Sequence, residues 1–286
     1  MKLFTDSSCD LSKAYFSEHD VILFPLRVQL NGEEYDDILA IESQQVYDAI
    51  AQGAQPKTSQ VSPELFLTHF EQLAKNEEEG LYIAFSSELS GTYSTAMMIR
   101  NQVLESYPEL KLTIIDSKCA SLGQGLLVKE AVRLRDSGKT VTEVATAIRD
   151  MASNMEHLFT VDDLDYLAKG GRVSKASAFL GGLLSIKPIL NVEDGKLVPI
   201  EKVRGHKKSI THMVNLMEQR GGDFSNKIVG ISHSNDPAFL AEMQAAIEAR
   251  LSPKGFDTTV IGAVIGSHVG LGTVGIFFTN KNYVAK

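Results

Sequence analysis

Short apolar runs alternate with helical segments through the first 154 residues of this chain, and that alternation leaves few folds open. Leu3–Thr5, Val21–Leu26 with Val28–Leu30, Leu81–Phe85 and Leu112–Ile115 read as strands. Between and after them Ser43–Gln52, Ser62–Asn76, Thr92–Tyr107 and Gly123–Ser137 keep helical spacing. Strands that alternate with helices build a parallel sheet covered on both faces. The punctuation agrees. Asn31-Gly32 reads as a hairpin turn, and Ser62-Pro63 as a helix start with proline at the first helical position. Gly138 reads as a helix stop. Thr140-Val141-Thr142-Glu143 is a capping box that opens a helix running to Asn154.

Past Asn154 the texture becomes α+β. His157–Val161 reads as a strand, Asp163–Lys169 as a short helix, and Lys175–Leu184 as a small, apolar helix that suits a pocket wall. Ile186–Leu190 and Leu197–Ile200 read as strands joined by a turn at Glu193–Lys196. A helix at His206–Arg220, a strand at Lys227–Ile231, a helix at Pro237–Leu251 and a strand at Thr258–Ile261 follow. Ile265–Phe278 reads as a glycine-dense turn around His268 and then a terminal strand. At 286 residues two domains are expected, 1–154 as an α/β unit and 155–286 as an α+β unit.

Composition closes off several functions. The net charge of −8 argues against non-specific nucleic-acid binding and against an anionic membrane surface. No apolar stretch approaches the roughly 18 residues of a membrane span, and no signal-peptide core follows Met1. Cys9 and Cys119 form no CxxC pair, which fits a reducing cytoplasm.

Two hydroxyl clusters are candidates for a site. Six serines and threonines fall between Ser86 and Thr95, with Gly91 among them, after a strand and at the start of a helix. Such a turn presents hydroxyls and free backbone N–H groups to an anionic oxygen; the plainer reading makes Ser90 an N-cap. Thr58 and Ser59 stand just ahead of the Ser62-Pro63 start and are not needed as caps. Asp6, at a strand end, reads as a capping group. His268 is a candidate ligand contact. Lys202, Arg204, His206, Lys207 and Lys208 form the densest basic cluster, a solvated face or a docking surface.

The familiar catalytic motifs are missing. Gly270-x-Gly272-x-x-Gly275 matches the dinucleotide pattern only as a string, because a strand and not a helix follows it. Gly138-Lys139-Thr140 lacks the upstream glycine of a phosphate loop, no Gly-x-Ser-x-Gly occurs, and no histidine pair has metal-ligand spacing. Residues alone lead to a two-domain cytosolic α/β protein with a hydroxyl-rich site.

Eight segments in order resemble the DegV family, from about Leu3 to Thr279. They are Thr5-Asp6-Ser7-Ser8 with Asp10-Leu11, Lys57-Thr58-Ser59-Gln60 with Ser62, Ser87-x-Leu89-Ser90-Gly91-Thr92, Asp116-Ser117, Tyr166-Leu167-x-Lys169-Gly170-Gly171-Arg172, Ile186-Lys187-Pro188-Ile189, Lys202-x-Arg204 and Gly266-x-His268-x-Gly270-x-Gly272. Leu271 stands where the family usually has proline, and Ser234-Asn235 replaces its usual Gly-Asp after His233. The resemblance implies a lipid-binding protein with no chemistry of its own. It would carry a long-chain fatty acid such as palmitate or oleate between two domains and present it to a separate ATP-dependent fatty acid kinase subunit. By the same resemblance Thr58 and Ser90 meet the carboxylate, with His268 next and Ser59 and Gly91 beside them; Arg172, Arg204 and Lys202 are our candidates for contact with phosphate or partner. No cofactor or metal is implied, and a monomer is expected. The alternative is a lipid or ester hydrolase built on Ser90 and His268 with an acid such as Asp6. A regulatory protein docking through Lys202–Lys208 is the third reading.

Overall fold

The computed structural model describes residues 1–173 and 186–284. β1 (Lys2–Asp6) is flanked by β2 (Val21–Phe24) and, past β3 (Arg27–Leu30), β4 (Glu33–Asp36) and β5 (Lys57–Ser59) in sequence, by β6 (Glu79–Ala84); β7 (Lys111–Asp116) lies beyond β6. These four strands, β2-β1-β6-β7, are all parallel, as the alternation in sequence predicts. Successive side chains on a strand face opposite ways. Phe4 and Tyr82 therefore pack against α3 (Pro63–Lys75) and α4 (Thr92–Ser106), through Phe66, Phe70 and Ile99. Leu3, Leu81 and Ile83 pack the other way, against α5 (Leu122–Asp136) and α6 (Val141–Ser153). The N-terminal α1 (Lys13–Glu18) and α2 (Ser43–Ala51) complete this half. The capping box at Thr140 and Glu143 forms as read, and Gly138 ends α5 at φ +84°.

A small antiparallel sheet, β4-β3-β5, sits beside the parallel one. Its hairpin turns at Asn31 and Gly32, with φ 54° and 88°, the geometry that an Asn-Gly pair accepts at little strain. Thr58 and Ser59, which the sequence placed ahead of a helix start without assigning them an element, lie on the edge strand β5, bonded to β3.

The second half builds a six-stranded mixed sheet in the order β10-β9-β8-β13-β11-β12. Its strands are β8 (Met155–Thr160), β9 (Ile186–Glu193), β10 (Lys196–Arg204), β11 (Ile228–His233), β12 (Gly255–Val260) and β13 (Val274–Thr279). A short α7 (Leu164–Lys169) follows β8, while α8 (His206–Gly221) and α9 (Pro237–Leu251) cover one face through Met213, Met217, Phe239 and Met243. On the other face Phe159, Leu190 and Phe277 join the cores of the first half. The helix expected at Lys175–Leu184 lies outside the described residues.

One expectation is corrected. The glycine-dense stretch around His268 is not a turn but a helix, α10 (Ala263–Val269), between β12 and β13. Glycine there serves close approach. A Cβ at Gly266 would lie 2.7 Å from the Tyr47 hydroxyl of α2, and that hydroxyl donates to the Ile261 carbonyl at 2.7 Å. The chain thus leaves the second sheet, lays α10 on α2, β3 and β5 of the first half, and returns as β13.

Candidate functional site

The site grows from the carboxyl end of β6. There the buried Asp6 carboxylate accepts the Phe85 N–H and the Tyr82 hydroxyl, each at 2.8 Å, and fixes the root of the 85–91 loop. Asp6 reads from the sequence as a cap, but its side chain makes no capping bond; it anchors this loop from wholly inside the protein, where burial raises its pKa. Ser86 donates to the Gly195 carbonyl at 2.8 Å, tying the loop to the β9–β10 hairpin of the other sheet. Gly91, not Ser90, is the N-cap of α4; the Ser90 hydroxyl accepts the Thr92 N–H at 3.2 Å and bonds Thr92 Oγ1 at 2.9 Å.

The two hydroxyl clusters meet. Gln60, next after β5, donates through its side-chain amide to Thr95 of α4 at 2.8 Å, and a Cβ at Gly91 would meet the Gln60 side-chain Oε1 at 2.2 Å. Thr58 Oγ1 then sits 2.7 Å from Nε2 of His268, in the last turn of α10. Burial, with the Arg172 charge nearby, depresses the His268 pKa to about 4, so the ring is neutral at physiological pH. Arg172 reaches the Leu89 carbonyl through Nε at 3.4 Å and the Gly170 carbonyl through Nη1 at 2.6 Å, which leaves its fork without a carboxylate partner among the described residues.

Thr58, Ser59, Ser90, Gly91, Arg172 and His268 line one end of a cavity of about 200 Å³ between the two sheets. Ser59 turns its own hydroxyl to Glu34, at 3.2 Å. The rest of the wall is mostly apolar: Phe85 and Leu89 from the first half, Phe159, Val192 and Phe277 from the second sheet, Ile261 just ahead of α10, and Val264, Ile265 and Val269 along it. Lys202 and Arg204 lie on β10 and are not part of this wall. A second cavity, about 290 Å³, adjoins the polar end; it shares Thr58, Arg172 and His268 with the first and adds Lys57 and Lys169. The polar end is therefore a wall between an apolar tunnel and a basic vestibule.

The hydrolase alternative finds no assembled triad. His268 bonds Thr58 and not Ser90, and the Asp6 oxygens are taken by Ser8, Tyr82, Phe85 and Gln124. Among the described residues no helix is long and apolar enough to cross a membrane.

Sequence reasoning missed the far end of the cavity. Ser121 and Ser232 line it, and Ser121 donates to Asp10, whose other oxygen accepts the Gly262 N–H at 2.9 Å. Asp37 is buried alongside, facing the amides of Ala263 and Val264 at the start of α10. Burial pushes Asp10 up to about 8 and Asp37 up to about 7. The apolar wall did carry a legible signal: Val264, Ile265 and His268 fall at the spacing of one helix face.

Known proteins share this architecture. A family model described as "Uncharacterised protein, DegV family" matches residues 1–281. A DegV domain-containing protein of Clostridium perfringens is 38% identical over 282 residues, 96% of each chain. A solved structure, "Fatty Acid Binding of a DegV family Protein from Thermus thermophilus", is similar at a TM-score of 0.89 and 29% identity, covering 98% of this chain and 99% of that one. A stearic acid-binding protein from Eubacterium ventriosum is similar at a TM-score of 0.87 and 27% identity, covering 98% of both chains.

Proposed function

The chain belongs to the DegV family, and from that membership and the pocket geometry we propose that it binds a long-chain fatty acid such as palmitate or oleate. The tail fills the apolar cavity and the carboxylate lies at Thr58, Ser90 and His268, with Ser59 and Gly91 beside them. The observation that carries this reading is the 2.7 Å Thr58–His268 pair at the polar end of an otherwise largely apolar tunnel. Burying about fifteen methylenes at ~0.8 kcal/mol each gives roughly 12 kcal/mol before ordering costs. The head group then needs orientation more than attraction. A neutral His268 that donates Nε2–H to Thr58 leaves the threonine hydrogen free for the carboxylate.

The bound acid is presented to a separate ATP-dependent kinase subunit. A carboxylate oxygen attacks the γ-phosphorus of ATP, the bond from that phosphorus to the bridging oxygen breaks, and acyl phosphate and ADP result. Neutral hydroxyls suit this step, because an arginine ion pair at the carboxylate would stabilise its charge and blunt its nucleophilicity. The basic vestibule beyond Thr58, with Lys57, Lys169 and Arg172, supports it from the phosphate side. Arg204 and Lys202, on a separate edge strand, suit contact with the partner subunit. The carrier has no catalytic residue of its own in this reading. Its two domains divide near residue 154, with α10 returned from the second to the first.

Native mass spectrometry of the protein purified from a bacterial host, followed by denaturing lipid extraction, tests the binding. A bound mass released as a free long-chain fatty acid is expected. An empty protein that also fails to take up palmitate or oleate would overturn the reading.

A further inference from the structure

At the end of the cavity away from Thr58 the apolar lining is interrupted. Ser121 and Ser232 both border the cavity with their hydroxyl oxygens 3.2 Å apart. Ser121 gives its hydrogen to the buried Asp10 carboxylate, so it accepts the hydrogen of Ser232. Among the described residues Ser232 has no other hydroxyl partner, which leaves its oxygen lone pairs unused. Ser232 on β11 is the direct cross-strand partner of Gly275 on β13. A Cβ at position 275 would lie 3.3 Å from the Ser232 oxygen; its absence keeps that oxygen open to the cavity. A hydroxyl relay ending on an uncovered acceptor is an expensive thing to hold against a purely hydrocarbon tail.

We propose that Ser232, backed by Ser121 and Asp10, is a second polar subsite, and that the cavity accepts fatty acids bearing a hydroxyl partway along the chain. The ligand hydroxyl donates to Ser232. The position follows from α10. Gly262, bound to Asp10, and His268, bound to Thr58, stand six residues apart on one helix, about 9 Å at 1.5 Å per residue. The subsite therefore meets the middle of a long chain and neither its head nor its tip. The inference rests on the fatty-acid reading above.

The test uses the full chain stripped of lipid. A fluorescent fatty acid is displaced by stearic acid and, separately, by stearic acid hydroxylated at mid-chain. The wild-type protein is expected to bind the two within about threefold of one another. In Ser232→Ala the hydroxylated acid should weaken about tenfold relative to stearic acid, because its hydroxyl is buried unpaired. Gly275→Ala keeps both serines but covers the oxygen, and should shift the ratio the same way. The proposal is overturned by a wild-type protein that rejects the hydroxylated acid tenfold or more, or by two variants that leave the ratio at its wild-type value. Failure of stearic acid itself to bind the wild-type protein would sink the fatty-acid reading, and this subsite with it; that result is distinct because it shows in the unsubstituted ligand.

Discussion

The two ends of the cavity are built on different terms. At the Thr58 end the polar groups are only partly buried, stand on an edge strand, a loop and a helix terminus, and several keep hydrogen-bonding capacity in reserve. At the Asp10 end nearly every polar group is buried and committed: Ser8 to Asp6 and Gln124, Gln124 to Thr5 and the Ile83 carbonyl, and Asp10 to Ser121 and Gly262. A committed network holds the halves together; a reserve of unspent donors is what a ligand can use. Stability belongs mostly to the deep end, where Ser232 keeps an acceptor open to the cavity, and recognition of the head group belongs to the mouth.

The largest effect expected from this contrast is at Asp10. Asp10→Ala strands the Ser121 hydroxyl and the Gly262 amide in the interior and should destabilise the protein by about 3 kcal/mol in denaturant unfolding. Thr58→Ala should stay within about 1 kcal/mol in the same assay. Equal losses would dissolve the distinction.

Titration gives the next effect. Asp10 and Asp37 hold their protons more tightly folded than unfolded, with pKa values raised to about 8 and about 7 from an ordinary 3.8. Folding therefore favours their protonated forms. Their burden on stability is absent below the unfolded pKa, grows as pH rises, and is complete above the folded pKa. The melting temperature should fall by on the order of 5 °C between about pH 6 and pH 9. Asp37→Asn should flatten part of that slope, and an unchanged slope would assign it elsewhere. His268 contributes nothing in this window, since it is neutral throughout.

Smaller changes belong to the mouth. Ser90→Ala should weaken fatty acid binding about fivefold and slow phosphorylation by the partner kinase more than that; equal losses in binding and rate would refute a role in orienting the carboxylate. Least of all, Arg204→Glu should leave fatty acid uptake unaltered and unfolding within about 0.5 kcal/mol of the parent, while weakening any partner that docks on β10. A change in uptake would place Arg204 at the ligand after all.

What was legible in the sequence followed the range of the forces involved. The parallel sheet of the first half was readable because apolar period, Ser62-Pro63, Gly138 and the Thr140–Glu143 box all act within a few residues. The edge strand β5 was missed because it has three residues and pairs with a partner about thirty positions back. Around His268 glycine read as a breaker, although Val264, Ile265 and His268 already marked a helix face; Gly266 answers to Tyr47 across the fold and not to the local backbone. The Thr58–His268 pair spans 210 residues and entered only through family resemblance. The Asp10–Ser121–Ser232 line, with separations of 111 residues at each step, had no local trace at all.

The placement of α10 has a consequence for how the protein comes off the ribosome. The contact between Tyr47 and Ile261 closes a loop of 214 residues, and contacts of that sequence separation form late. Although the first 154 residues contain a complete parallel sheet, one wall of their pocket is supplied by a helix made near the end of synthesis. Until it docks, the nascent first half exposes the apolar faces of α2 and β3, a surface suited to a chaperone for nearly the whole of translation.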